Sequence, residues 1–158
     1  MQQFDPNIPG LIEGNIDTVV VVDPALEFSP YGVGNHVLNR NEAFQIKVAW
    51  KISGLLRPLW LKALGGKWNV QVFAESMGGG PEILLARNDT VPADPAVADY
   101  SLTLDVPPDT LAEGNPGSDV SGIYKLVVSV FLDSTLGPPG FDMTGFSEGP
   151  IVQVEDPN

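Results

Sequence analysis

Few residues in this chain have the type and spacing to do chemistry. Gly145-Phe146-Ser147-Glu148-Gly149 matches the G-x-S-x-G pattern of a nucleophile elbow. In that elbow a strand delivers the Ser, a helix follows it, and a His takes its proton. Here Pro150 and an extended run follow, and the sole His, His36, stands far upstream in a Pro/Gly-rich stretch. The match reads as accidental, and a single His removes most metalloenzyme schemes. Twenty acidic residues in 158 make chance carboxylate pairs unavoidable, and no spacing singles out a glycosidase pair. Asn88, Asp89, Asp94 and Asp99 supply oxygen ligands of the kind Ca2+ takes, without an EF-hand pattern. A solvated acidic loop is the simpler reading, and a bound cation there stays open. Gly78-Gly79-Gly80 lacks the helix and Lys that a phosphate cradle needs and reads as a hairpin turn. There is no Cys. No catalytic residue, metal or cofactor is expected, and the chain is read as a non-enzyme.

The net charge is −12, from 8 basic and 20 acidic residues. Phosphate binding needs a basic footprint, so nucleic acid is not an expected partner. Charge is unevenly spread: residues 40–67 carry Arg40, Lys47, Lys51, Arg57, Lys62 and Lys67 against Glu42 alone. That segment is either a solvated strand face plus a loop, or a docking patch for an acidic surface. No apolar run is long enough to span a membrane as a helix, and no signal peptide is legible. With the absence of Cys, this slightly favours a cytoplasmic chain.

The elements that must hold such a patch are strands. Phe44 to Ile52 alternates apolar and long polar side chains, the period of a half-buried β-strand. Similar runs occupy residues 68–76, 82–87, 99–106 and 150–155, while 15–22 and 123–132 are apolar on both faces and read as strands that are buried or, for 15–22, paired with a partner. Gly (17) and Pro (15) punctuate them, which implies tight turns and few helices. One short helix is expected over residues 58–64, with Pro58 at its start and Gly65-Gly66 at its stop. Residues 1–14 read as an N-terminal arm on a single domain, 1–158. The expected fold class is all-β, an antiparallel two-sheet sandwich of about seven strands.

Ser121-Gly122-Ile123-Tyr124-Lys125-Leu126 resembles the start of the sixth strand in immunoglobulin-like and fibronectin-III-like domains. There a Tyr forms a corner by bonding upstream backbone, and the second residue after it faces the core. Tyr124 and Leu126 match those positions, and Trp68 stands roughly where such domains keep a core Trp. The chain departs from true immunoglobulins in lacking both Cys, in adding Trp50, and in its longer connections. The resemblance implies an immunoglobulin-like sandwich, structural roles for Tyr124, Trp50 and Trp68, and no activity. It places the Tyr124 hydroxyl on a carbonyl within about residues 117–121.

In that topology the connections 53–67 and 133–149 share one end of the sandwich. The first carries Leu55, Leu56, Leu59, Trp60, Leu61 and Leu64; the second carries Leu136, Phe141, Met143 and Phe146. They either plug the core or form an apolar end, rimmed by Arg57, Lys62 and Lys67, that anchors a partner. The expected function is a non-catalytic structural or protein-interaction module, self-assembling head-to-tail or binding another protein. Strand 16–22 could then be exchanged between subunits. The alternative is a small-ligand or carbohydrate-binding module stacking sugars on Trp60, Trp68 and Tyr31.

Overall fold

Each of the seven runs read as strand from its alternation or its apolar faces is a strand. The computed structural model describes residues 2–22, 36–80, 82–137 and 142–156. Among them are nine strands and one helix: β1 (Gln2–Asp5), β2 (Glu13–Val22), β3 (Val37–Asn39), β4 (Phe44–Ser53), α1 (Arg57–Leu64), β5 (Lys67–Ser76), β6 (Ile83–Pro92), β7 (Asp99–Val106), β8 (Ile123–Asp133) and β9 (Thr144–Glu155). The fold is an all-β two-sheet sandwich. One sheet runs β2-β4-β7; the other runs β6-β5-β8-β9, with β1 and β3 on the far side of β9. All pairs are antiparallel except β3 with β9.

Two strands exceed the expected seven, and both are short. β1 forms inside the supposed arm and joins the sheets. Gln2 and Gln3 pair with Ile16 and Asn15 on β2, while Phe4 and Asp5 pair with Gly145 and Thr144 on β9. The ring of Phe4 is buried there between Gly14 and Gly145, where a Cβ on either glycine would come within 2.7 Å of it. β9 accordingly begins at Thr144 rather than near residue 150, because its early glycine makes room for a wedge and does not turn the chain. β6 likewise runs on past Arg87, through a register shift, to Pro92.

The inward faces form one core. Phe44, Ile46, Val48, Trp50, Val70, Val72, Leu104, Tyr124, Leu126, Val128 and Val130 are all buried, as the alternation requires; Leu102, on edge strand β7, is only half-buried but packs against them. Strand 16–22 is paired along its length with β4 of the same chain. Leu126 is fully enclosed on the central strand β8, so its truncation leaves a cavity as well as losing transfer energy. Leu126→Ala should lower stability by about 2–5 kcal/mol, read as a fall in the urea midpoint at unchanged slope. A loss below about 0.5 kcal/mol, the range of exposed positions, would contradict this packing.

Candidate functional site

The end of the sandwich at which β4 stops and β5 starts gathers three segments. α1 begins without a side-chain cap, carries Pro58 in its first turn, and is anchored inward by Leu61 and Leu64. Its stop is tight: Gly66 has φ +84°, and a Cβ there would sit 1.9 Å from the Asp133 carbonyl oxygen. The chain leaving β8 closes on it, with the Thr135 N–H and hydroxyl both donating to the Leu64 carbonyl at 3.0 Å. The turn at residues 8–12 joins from the other side: Leu55 N–H donates to the Gly10 carbonyl (3.0 Å) and Leu56 N–H to the Leu11 carbonyl (2.8 Å). The two apolar connections therefore do meet, through Leu64 and Thr135. Ile8 and Leu11 join them from a turn that the sequence reading did not connect with this end.

What lies beneath decides whether this end is a plug. Four aromatic rings close the interior there. Trp50 stacks on Tyr100 (centroids 5.5 Å, 9° between planes), and Trp68 meets Phe4, Trp50 and Tyr100 edge-on at 5.6–6.0 Å. Leu61, Leu64 and Met143 are buried with them. The remaining apolar side chains are left outside. Of twelve exposed large hydrophobic residues among the described ones, six stand on these three segments: Ile8, Leu11, Leu55, Leu56, Leu59 and Leu136. Leu55 is 80% and Leu59 66% exposed. Burial of either would contribute stability, so their exposure calls for an explanation that core packing does not supply.

The residues named from sequence distribute as follows. Trp60 is half-buried and packs against the core, with its indole N–H enclosed and without a partner among the described residues. Met143 is fully buried and belongs to the core. Phe146 is exposed on the outer face of the six-stranded sheet, opposite Ser129, and not in a loop. Phe141 and Tyr31 lie outside the described residues. Among the described residues Arg57, Lys62 and Lys67 form no ion pair, in contrast to Arg40, Lys51, Arg87 and Lys125. Lys67 faces Asp133 across the β5–β8 pair, and the Glu13 carboxylate accepts the Gly10 N–H at 3.1 Å, so acids also border this end.

Other candidate chemistry falls apart in three dimensions. Ser147 sits within β9 opposite Val128, with strand on both sides where an elbow needs a helix. His36 contacts the Ile151 carbonyl through Nδ1 at 3.1 Å. The acidic residues weighed for Ca2+ are engaged separately: Asp89 with Arg87, Asp94 with the Ala96 N–H, Asp99 with Lys51. Gly78-Gly79-Gly80 makes the β5–β6 turn, held by the Ser76 hydroxyl on the Gly79 carbonyl. An open hollow of about 340 Å³ on the outer face of the three-stranded sheet is lined by Thr18, Ala49, Ser101 and Thr103 beside Lys47. It has hydroxyls but no aromatic platform.

Tyr124 is buried and its hydroxyl donates to the Ala112 carbonyl at 2.9 Å. The bond runs upstream as expected, but further than residues 117–121. Residues 114–122 fold into a loop closed on itself, Asn115 N–H to the Val120 carbonyl and Gly114 against Gly122, and their backbone is engaged there. Burial raises the pKa of Tyr124, and of Tyr100, above the ordinary 10.0. Each folded-state hydroxyl thus holds its proton where the unfolded one releases it. The stability they contribute is complete below pH 10, and is lost as the pH climbs from there towards the folded-state values. Tyr124→Phe should cost roughly 0.5–1.5 kcal/mol at neutral pH and make the alkaline decline shallower, measured by urea unfolding across pH. An unchanged alkaline slope would show that Tyr124 ionises alike folded and unfolded.

Comparison with protein-family models returns no match, and a search of the curated proteins returns none either.

Proposed function

We propose that this chain is a non-catalytic, immunoglobulin-like β-sandwich that works as a docking module through its α1 end. One observation carries the reading: the end is closed from within by the Phe4–Trp50–Trp68–Tyr100 cluster, yet six large aliphatic side chains remain outside it. An apolar patch that is surplus to the core is the usual mark of a binding surface. Tyr124, with its upstream backbone bond, and the buried Trp68 support the immunoglobulin-like reading of the sandwich. The carbohydrate alternative loses support, since Trp68 is enclosed and Trp60 is packed against the core.

The double variant Leu55→Ser/Leu59→Ser separates docking from plugging. Surface changes typically stay within about 0.5 kcal/mol, so Tm should move by no more than about 2 °C while retention on a hydrophobic matrix drops. A fall of several degrees would mean that the leucines hold the fold together and that the docking reading is wrong.

A further inference from the structure

We infer that the partner of this end is an anionic phospholipid bilayer, into whose interface the leucines of the α1 segment insert. The inference rests on the docking reading and names its partner. Three features of the surface lead to it. The exposed apolar groups are aliphatic and come from three connecting segments at one tip, Leu55 and Leu59 protruding furthest. A bilayer interior accepts protruding hydrocarbon without requiring a matched socket, whereas protein interfaces rest on aromatic and Arg anchors seated in pockets. The one aromatic of the segment, Trp60, is half-buried and packs against the core with its indole N–H enclosed, so it fastens the segment and leaves insertion to the leucines. α1 itself is turned for this role: Leu61 and Leu64 fasten it to the core, and Pro58, Leu59, Lys62 and Ala63 face out.

Charge supplies the sign. The chain carries −12, and four of its eight cations are paired with carboxylates. Among the described residues, three of the four cations without an ion pair are Arg57, Lys62 and Lys67, on α1 and just after it. Asp133 stands opposite Lys67, and Arg57 is half-buried with its Nε enclosed, which leaves Lys62 as the exposed cation on α1 beside Leu59. A cation flanking inserted aliphatic side chains meets the phosphates of the headgroup layer, and with Glu13 and Asp133 bordering the same end the leucines supply the larger share of the attraction.

The test is flotation of the full chain with vesicles of phosphatidylcholine, with and without phosphatidylserine, at low and high salt. The wild type should float with the phosphatidylserine vesicles. Leu55→Ser/Leu59→Ser should weaken that binding by at least about tenfold in both salts. Lys62→Glu should weaken it at low salt and matter less at high salt. Circular dichroism melts of each variant guard against misfolding. Flotation unaffected by the serine pair would overturn the inference. So would an absence of flotation. In that last case light scattering tells the two readings apart: size that grows with concentration and stops growing in the serine variant keeps docking, with a second copy as occupant. Constant size would remove both.

Discussion

The two sheets are held in register at one end by a single cluster of rings. Trp50 and Tyr100 come from the three-stranded sheet, Trp68 from the six-stranded one, and Phe4 from the strand that joins them. Aromatic pairs with centroids near 5–6 Å contribute about 0.5–1.5 kcal/mol each beyond their burial, and their edge-to-face geometry fixes orientation as well as distance. Much else follows from this clasp. It sets where β1 must cross between the sheets, and so why β2 and β9 carry glycines at residues 14 and 145. It also closes the core beneath α1, which frees the outer residues of that segment from any packing duty.

Away from the clasp, the fold is a set of half-buried strands whose outer faces are wet. Cross-strand pairs there are modest. Lys125 lies between Glu148 (3.3 Å) and Glu75 (3.6 Å), and Glu148, then Glu75, raises its pKa. Such exposed pairs contribute little to stability. Among the described residues four cations elsewhere on the sandwich find carboxylates, while Lys47 on β4 and the two cations of α1 do not.

The seven longer strands were legible because each has a face to bury, and burying one face forces period 2. β1 was not, since Gln2-Gln3-Phe4-Asp5 has one apolar residue and its pairing is split between nearby β2 and β9, more than a hundred positions away. β3 offers only Val37-Leu38-Asn39, too short for a period. The start of β9 looked like a turn because Gly145 and Gly149 serve close approaches, to Phe4 and to Val19 and Leu126, that only the folded chain reveals. At the candidate site, the apolar character of the two connections was readable, and so was their meeting. Which of their side chains are spent on the core was not. Met143 and Leu61 go inside while Leu55 and Leu59 stay out, a choice made by the backbone path of α1 and not by hydrophobicity.

The central claim is that the aromatic clasp, with Leu61, Leu64 and Met143 packed on it, closes this end and the leucines outside it are surplus. Native-state hydrogen exchange tests it most directly, by following the amides of residues 48–52 and 68–72 in the wild type and in a chain with Leu55 and Leu59 both changed to serine. The account predicts that these amides exchange only by global unfolding in both proteins, with the same opening free energy to within about 0.5 kcal/mol. A selective loss of protection there in the altered chain, opening the clasp while the far end stays closed, would contradict it.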